Sequence, residues 1–439
     1  MNDSQARTET PTYTGGADAA QHSRAIFDVL LEGYRGRTAI RLWDGTYITG
    51  GPGAPCTAVF HDPSVIRDLV LHQDLVRTAE AYLAGRMEID GNAEILFDPV
   101  DFLQERTTRL TLGEKLTMLR HALALPRSRR SEDVEAIRAS RAAAKNSWAS
   151  IGHHYDVGNE FYRLWLDPEM VYSSAYFRDE SESLADAQTN KLDVLCRKLR
   201  LKPGERLLDI GCGWGALVMH AARYYGVTAH GVTLSEQQHA LANQRIEERG
   251  LEGKVTVELR DYRDLDERHA YDKVVSVGMF EHIGPGAYPE YFGRIHRLLR
   301  PGGLLCNQGI VNDTGWQDNA VTRFLKRYVF PDGSLARISE VITAMENAGF
   351  EILDAESLRR HYAMTLRHWI RSLEENYATA KDLVGEATYR VWRLYMSGSA
   401  HYFEQGGTNI FQVLAGRARD PLEIPLTRDD IYEGLGTRD

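Results

Sequence analysis

The chain has 439 residues, enough for two or three domains, and 43% of its residues are hydrophobic while 26% are charged. This ordinary globular composition excludes the disordered, collagen-like and disulfide-scaffold classes. No apolar run reaches the roughly 18 residues of a membrane span, so an integral membrane protein is excluded as well. The polar N-terminus argues against a secretory signal. The formal net charge of -10 argues against nucleic acid as a partner.

The four cysteines do not have the spacing of a metal site. Cys56, Cys196, Cys212 and Cys306 are scattered along the chain, whereas zinc sites use closely spaced Cys or His pairs. We therefore expect no bound metal. Scattered thiols without a secretion signal are typical of the reducing cytoplasm, which is where we expect this chain.

The first part of the sequence predicts a polar tail and then one small domain. Residues 1–24 are polar and rich in Thr and Gly, and we expect them to be disordered. Residues 25–105 form the small α+β domain, in which Asp62 followed by Pro63 is typical of a helix start. Strand-like alternation occurs at 37–48 and Cys56–Phe60, helical periodicity at 65–73 and 75–85, and a closing turn is predicted at 85–91.

A basic segment follows at 106–145, where ten basic residues stand against four acidic ones and the local formal charge is +6. Leu112, Leu116, Leu119 and Leu123 fall on one face of a predicted helix, which a basic linker follows. Such a leucine face can pack on a neighbouring domain. A basic helix with an apolar face also suits peripheral contact with anionic lipid headgroups. Both interpretations stay open.

Between residues 146 and 420, short apolar segments alternate with helical ones, which predicts a doubly wound, Rossmann-like parallel α/β sheet with extra helices. The chain after 339 is expected to be mostly helical, and 421–439 to be a tail. The predicted strands are Arg206–Ile210, Thr228–Thr233, Val255–Leu259, Tyr271–Val277, 304–311 and 350–356. The predicted helices are 217–225, 236–249 and 289–299.

The segment after the first of these strands predicts a ligand loop. Asp209 near the strand end precedes Gly211, Gly213 and Gly215, which would let a ligand approach the backbone at a helix N-terminus. A pyrophosphate-binding turn normally has the spacing GxGxxG and an acidic residue closing the second strand. In this chain the spacing is GxGxG, and Asp209 suits an ammonium group better than a phosphate. We therefore expect S-adenosylmethionine (SAM), whose methionine part is zwitterionic.

Several further segments share their order and spacing with one enzyme family. The sequence resembles the cyclopropane-fatty-acyl-phospholipid synthase family of SAM-dependent methyltransferases over roughly 146–417, and more weakly in the N-terminal module. The segments that carry the resemblance are 154–161 (HYDVGNEF), 170–177 (MVYSSAYF), 208–215, 232–238 (VTLSEQQ), 279–284 (MFEHIG), 328–333 (YVFPDG) and 361–369.

The resemblance implies methylation of a double bond in an unsaturated acyl chain of a phospholipid. Methyl transfer leaves a carbocation, and loss of a proton from the new methyl group closes a cyclopropane ring. In the family a bound bicarbonate ion is thought to be the base. The catalytic positions that the resemblance implies are Glu281, Tyr362, the backbone of Ile310, Ser174 and Gln308 where the family has Cys and His, and Ser399 where it has a late Cys.

These replacements bear on the product. Ser174 and Gln308 can still donate hydrogen bonds to an anion, but Gln308 cannot take a proton. Ring closure is therefore the uncertain step, and a methyl- or methylene-branched chain is the alternative product. The SAM-binding residues implied by the resemblance are Tyr155, Tyr172, Ser173, Asp209, Gly211, Cys212, Gly213, Gly215, Thr233, Leu234, Gln238, Tyr262 and Arg263.

The sequence thus predicts an enzyme with an N-terminal lipid-binding module, held peripherally on the inner face of the membrane by the basic segment. Its expected partners are phospholipid acyl chains at a bilayer surface, and a homodimer is left open. Two other functions stay open. One is a catalytically degenerate lipid-binding homologue, suggested by the missing Cys and His. The other is a methyltransferase that acts on a different alkene.

Overall fold

A computed structural model describes residues 16–127, 134–135, 137, 158–313, 320–330 and 334–435. The chain divides into two compact units. The first unit comprises the described part of Met1–Lys145 together with Asp318–Val329 and Tyr377–His401, and the second comprises the remainder. Two segments of the range expected to form the methyltransferase domain are thus grouped with the N-terminal module, and the domain boundaries of the sequence analysis stay a prediction.

The helices and strands fall into three groups along the chain. The N-terminal elements are α1 (Ala17–Leu30), β1 (Thr38–Arg41), β2 (Tyr47–Thr49), β3 (Cys56–Phe60), α2 (Pro63–His72), α3 (Leu75–Leu83), β4 (Met87–Gly91), α4 (Phe97–Thr108) and α5 (Leu112–Ala124). The central elements are α6 (Asn159–Arg163), α7 (Leu184–Lys198), β5 (Arg206–Ile210), α8 (Ala216–Tyr225), β6 (Thr228–Thr233), α9 (Glu236–Glu248), β7 (Val255–Leu259), β8 (Tyr271–Val277), α10 (Phe280–Ile283), α11 (Tyr288–Leu298) and β9 (Leu299–Asn312). The C-terminal elements are α12 (Ala320–Tyr328), α13 (Ile338–Asn347), β10 (Phe350–Ser357), α14 (Arg359–Glu375), α15 (Tyr377–Val384), α16 (Glu386–Gln405), β11 (Thr408–Arg417) and α17 (Asp429–Tyr432).

The first unit is built on a four-stranded sheet in the order β2-β1-β3-β4. The predicted helix start is confirmed, because the Asp62 carboxylate accepts a hydrogen bond from the Ser64 N–H at 2.8 Å. The turn predicted at 85–91 is wrong. Met87–Gly91 is a strand antiparallel to β3, and its alternate residues are buried.

The leucine face of α5 points to solvent. Leu112, Leu116, Leu119 and Leu123 are 76%, 58%, 40% and 58% exposed. The opposite side of the helix carries Met118 and Ala122, which are buried in the first unit.

Helix α5 is fixed at both ends. A capping box between Thr111 and Glu114 closes its N-terminus. At the other end, Arg67 donates hydrogen bonds to the carbonyl oxygens of Ala122, Leu123 and Leu125. The described residues include no helix that is both long enough and apolar enough to cross a membrane.

The second unit contains a seven-stranded, mostly parallel sheet in the order β10-β11-β9-β8-β5-β6-β7. The strands from β5 to β9 run parallel, as the doubly wound pattern predicts, and β5, β6, β7 and β8 have the predicted bounds. Buried apolar clusters lie on the two faces of the sheet. The prediction of a mostly helical C-terminal region missed β11, which pairs antiparallel with both β9 and β10.

The segment that the sequence analysis treats as a tail packs on the second unit over its described part. Ile431 is fully buried beside Val194 of α7 and Leu435. The Tyr432 hydroxyl donates a hydrogen bond to the Glu356 carboxylate at 3.0 Å. Described residues up to Leu435 therefore contribute to the core around α7.

Candidate active site

The glycine loop joins β5 to α8 at the carboxyl end of the parallel strands, where sheets of this kind bind ligands. Gly215 precedes α8 with a φ of +82°, and a Cβ there would lie 3.3 Å from the Ala242 side chain. Gly213 has a φ of +55°, and a Cβ there would meet nothing within 4 Å. The loop therefore needs glycine for its backbone, and it has open space beside Gly213 for a ligand.

Asp209 supplies a buried acid at the base of this loop. It is 3% exposed, and its Oδ1 has no hydrogen-bond partner. Burial raises the pKa of the carboxyl, and the charge of Lys191 opposes that shift. Nearby, Cys212 is also buried, which raises the pKa of its thiol well above the ordinary value. Cys212 is therefore a neutral, packed side chain of the glycine loop.

The end of β6 forms the second wall of the loop region. The Thr233 hydroxyl donates to Gln238 Oε1 at 2.8 Å and accepts from the Ser235 N–H at 3.2 Å. Thr233 and Gln238 are buried, whereas Leu234 between them is half exposed. The strand end is thus a fixed polar turn with one apolar side chain open to solvent.

The residues after β7 form a short turn. The Asp261 carboxylate accepts hydrogen bonds from both Nε and Nη2 of Arg263, the latter at 2.7 Å. The Tyr262 ring packs edge-on against Tyr291 with centroids 5.3 Å apart. Tyr262 and Arg263 are therefore held in place at the same carboxyl edge of the sheet as the glycine loop.

An aromatic cluster packs on Trp214 of the glycine loop. The Trp214 indole N–H donates to Asn159 Oδ1 at 2.7 Å, and the Trp214 ring lies 5.1 Å from that of Tyr162. Tyr172 contacts Tyr162 and Trp369. The motif at 154–161 thus approaches the loop through Asn159. Tyr155, which was predicted to bind SAM, lies outside the described residues.

Helix α14 holds the segment that contains Ser174. The Ala175 N–H donates to the Thr365 hydroxyl at 3.0 Å, and the Phe177 N–H donates to His361 Nδ1 at 3.1 Å. Tyr362 lies between these two attachment points in the helix, and its buried ring contacts Phe403. Ser174 is fully buried. The structure therefore brings Ser174 and Tyr362 to the same part of the second unit.

Glu281 follows β8 and is buried beside β9. Its Oε1 accepts a 3.5 Å hydrogen bond from the Ile310 N–H, while its Oε2 has no hydrogen-bond partner. A Cβ on Gly309 would come within 2.6 Å of Oε2, so a glycine is needed there for the carboxylate to fit. Burial raises the pKa of Glu281 to about 7. Glu281 and the Ile310 backbone are thus in contact.

Gln308 is paired with a residue that sequence analysis missed. The Gln412 side-chain N–H donates to Gln308 Oε1 at 2.9 Å, because β11 places Gln412 directly opposite Gln308. Both side chains are fully buried, and Nε2 of Gln308 has no hydrogen-bond partner. A buried amide donor of this kind is costly to leave unpaired. The pair therefore offers an N–H to an acceptor.

Two further residues, Ser399 and Lys191, bear on the site. Ser399 lies in the part of α16 that belongs to the first unit, whereas Ser174, Glu281 and Tyr362 belong to the second. Lys191 of α7 was not predicted as a site residue, yet it is buried and donates to the Ser173 hydroxyl at 3.1 Å. The signal for Lys191 is its place on the apolar face of α7 with Ala187, Val194 and Leu195, where a solvated lysine would not stand.

The doubly wound sheet, with a glycine loop after its first parallel strand, defines a class I SAM-dependent methyltransferase. The solved structure of the cyclopropane synthase MmaA2 from Mycobacterium tuberculosis matches with a TM-score of 0.58 and 33% identity, and the match covers 60% of this chain and 96% of that one. The mycolic acid cyclopropane synthase CmaA1 complexed with SAH and CTAB matches with a TM-score of 0.58 and 33% identity, over 61% of this chain and 97% of that one.

The chain belongs to the mycolic acid cyclopropane synthetase family, whose match spans residues 142–413. A "Probable fatty acid methyltransferase" of Pseudomonas putida is 40% identical over 398 residues, which are 90% of this chain and 95% of the relative. The cyclopropane-fatty-acyl-phospholipid synthase of Escherichia coli is 37% identical over 273 residues, which are 62% of this chain and 69% of the relative. The chain is thus a SAM-dependent methyltransferase, and its relatives support modification of a lipid.

Proposed function

We propose that the chain methylates the double bond of an unsaturated fatty acyl chain in a phospholipid, with a cyclopropane ring as the leading product. The observation that carries the proposal is the buried Glu281 carboxylate with one unpartnered oxygen, at the carboxyl edge of the sheet that bears the SAM loop. Among the described residues no cation contributes to the pKa shift of Glu281, and a buried carboxylate of this kind is suited to a transient positive charge on an otherwise apolar substrate.

The residues around the glycine loop fit SAM. The unpartnered Oδ1 of Asp209 suits the ammonium of the methionine part, and the space beside Gly213 admits a ligand against the backbone. Gln238 and Thr233 would lie near the ribose and methionine ends, while Tyr262 and Arg263 would flank the adenine. When bound, SAM supplies the activated methyl group that an isolated alkene requires.

Methyl transfer would leave a carbocation on the acyl chain, and residues of this chain would stabilise it and exclude water. Tyr362, Phe403 and Trp369 form an aromatic contact group in the second unit. Ring faces attract positive charge, and an apolar site excludes the water that would otherwise trap the cation. Glu281 would stabilise the charge directly.

We also propose that a bicarbonate ion binds between Ile310 and Gln308. The support is the unpartnered Nε2 donor of Gln308, together with the Ile310 N–H that Glu281 engages only at 3.5 Å. The Ser174 hydroxyl donates to the Ala175 carbonyl oxygen at 3.1 Å, and it would have to turn away from that oxygen to donate to the ion. The ion would supply a base to accept the proton that leaves as the ring closes.

The direct test uses purified protein, SAM and vesicles of unsaturated phospholipid. We expect a mass gain of one CH2 unit per modified acyl chain and an upfield ring-methylene signal in the proton NMR spectrum of the released fatty acids. A mass gain with retained olefinic protons would instead indicate a branched product. SAM binding without any mass gain would favour a degenerate lipid-binding protein, and turnover only on isoprenoid or polyketide alkenes would indicate a different substrate class.

The Gln308→His variant tests how this position controls the product. Because imidazole can accept a proton and amide cannot, we expect the variant to raise the ratio of cyclopropane to branched product by several-fold. Gas chromatography with mass spectrometry of the released fatty acids measures the ratio. Gln308→Leu is the matched control, since it removes both hydrogen-bonding atoms, and it should lower the ratio. An unchanged ratio in both variants would contradict a role for Gln308 in proton loss.

We further propose that the leucine face of α5, defined as Leu112, Leu116, Leu119 and Leu123, contacts an anionic bilayer. At 3.6 residues per turn these side chains fall within roughly 60° of one another. Lys115 is exposed on one side of the face and Arg120 on the other. An apolar stripe flanked by cations suits an interface between acyl chains and anionic headgroups. This supports peripheral attachment at the inner face of the membrane.

A further inference from the structure

Two buried polar side chains of α7 hold the segment that leads into the candidate site. Gln188 Nε2 donates to the carbonyl oxygens of Val171 at 3.2 Å and Ser173 at 2.9 Å. One turn further along, Lys191 Nζ donates to the Ser173 hydroxyl at 3.1 Å. Gln188 and Lys191 are 1% and 2% exposed. The 171–173 segment is therefore fixed by two adjacent side chains of α7, of which only one carries a charge.

The charge of Lys191 acts on Asp209. Burial lowers the pKa of the Lys191 ammonium, while the charges of Asp167 and Asp209 raise it. Burial raises the pKa of the Asp209 carboxyl, and Lys191 lowers it. Each of the two buried groups thus favours the charged form of the other.

The other titratable groups around Asp209 do not replace this cation. Cys196 on α7, Cys212 in the glycine loop and Tyr291 on α11 lie close enough for the Asp209 charge to raise their pKa values. These side chains are neutral or negative, so none of them can stabilise the Asp209 carboxylate by a positive charge. Asp167, which faces Lys191, is negative when ionised.

We propose that Lys191 is a positioning residue of the donor pocket: its buried side chain orders Ser173 and brings a positive charge into the surroundings of Asp209, the residue proposed to receive the ammonium group of the bound ligand. The inference rests on the proposed role of Asp209 in binding SAM. Lys191 would act in two separable ways. Its hydrogen bond to Ser173 would not depend on pH in the neutral range, whereas the effect of its charge on Asp209 would.

The test compares Lys191→Met with Gln188→Leu. Both variants remove attachments of the 171–173 segment, but only the first removes a charge. The probe is S-adenosylhomocysteine, which carries the same α-ammonium and α-carboxylate groups as SAM, titrated by calorimetry between about pH 6 and about pH 9.

For Lys191→Met we expect a Kd about tenfold or more above that of the wild type near about pH 7, because Asp209 keeps its proton. The difference should narrow to about threefold or less near about pH 9, as Asp209 ionises without the lysine. Gln188→Leu should weaken binding by a similar factor at every pH. If Lys191→Met does not fold, Lys191→Gln replaces it in the test. Glutamine has a donor group but no charge, so the excess of its Kd over that of the wild type should narrow with rising pH in the same way.

If Lys191→Met and Gln188→Leu both weaken binding of S-adenosylhomocysteine by a constant factor across the pH range, the charge effect is overturned. Lys191 is then a purely structural residue. The proposed role of Asp209 in binding SAM is tested by a separate variant. If Asp209→Asn binds the probe as tightly as the wild type, Asp209 does not engage the ammonium, whatever the lysine variants show.

Discussion

Glu281→Gln is expected to lower kcat by about 10²–10³-fold while leaving the Kd for S-adenosylhomocysteine within about threefold of the wild type. Glutamine keeps the size of the side chain and an oxygen that can accept from the Ile310 N–H, so the variant removes little besides the negative charge. The reaction creates positive charge on the acyl chain, and the low-dielectric surroundings of Glu281 make its stabilising charge worth far more than in water. Single-turnover formation of methylated acyl chains measures the loss.

The pH dependence of kcat tests the proposed role of Glu281 a second time. Burial raises the pKa of Glu281 to about 7, so the group is protonated below that pH and ionised above it. Because the ionised carboxylate is the form that stabilises positive charge, the kcat of the wild type should fall about tenfold for each pH unit below about 7. Because kcat is measured with SAM saturating, this profile reports Glu281 more directly than it reports the binding residue Asp209.

As the pH rises through about 7, the folding stability of the wild type should fall while its kcat rises. A carboxyl whose pKa is raised in the folded state favours folding below its unfolded pKa, and that contribution is lost as pH rises through about 7. Glu281→Gln does not ionise, so its melting temperature should exceed that of the wild type at about pH 8 and approach it below about pH 5.

The control is Glu252→Gln, which removes a carboxylate from an exposed turn before β7 in the same unit. It should leave kcat and the melting temperature close to the wild-type values. If Glu281→Gln retains wild-type kcat, the proposed role of Glu281 is wrong. If it loses activity together with binding of S-adenosylhomocysteine, the defect lies in the fold of the site and not in stabilisation of charge.

The elements that sequence analysis located well are those whose pattern is local. The strands β5 to β8 are short apolar runs bounded by turn residues, and each depends little on what pairs with it. The glycine loop could be read for the same reason, because Asp209, Gly213 and Gly215 stand close together in the chain. Glu281 and Tyr362 could be named only through the family resemblance, since neither lies in a pattern that specifies a chemical role by itself.

What sequence analysis missed depends on contacts between distant residues. Strand β11 brings Gln412 opposite Gln308, and no spacing in the sequence links these two positions. The place of Lys191 on the apolar face of α7 can be seen in the sequence, but its partner Ser173 is identified only once α7 is packed. Strand β4 was taken for a turn because five residues between glycines carry a weak alternation that only pairing with β3 makes into a strand.

Leu116→Asn combined with Leu123→Asn is expected to weaken binding to vesicles that contain anionic phospholipid by about 30-fold or more. Full burial of a leucine side chain contributes about 1.5–3 kcal/mol, and two side chains that insert only partly would together contribute at least about 2 kcal/mol. The substitutions lie on the solvent side of α5, opposite Met118 and Ala122, so they should lower the stability only by the helix-propensity cost of two asparagines, roughly 1 kcal/mol or less. Vesicle co-sedimentation measures the binding.

Point substitutions are preferable to deletion of 1–145 for this test. The first unit also contains Asp318–Val329 and Tyr377–His401, so deletion would leave those segments without the rest of their unit. The matched control is Leu426→Asn, which removes an equally apolar and fully exposed side chain from the second unit. It should bind vesicles as the wild type does.

Turnover assays should distinguish a loss of membrane binding from a defect in the active site. The double leucine variant should lose turnover on anionic vesicles in proportion to its lost binding, and keep near wild-type turnover on the same phospholipid dispersed in detergent, where no bilayer has to be reached. Lys115→Gln with Arg120→Gln should weaken binding to anionic vesicles only, and the loss should be smaller at high salt because ions screen the exposed charges. Equal binding of the leucine variant and the wild type would exclude the leucine face of α5 as the membrane contact.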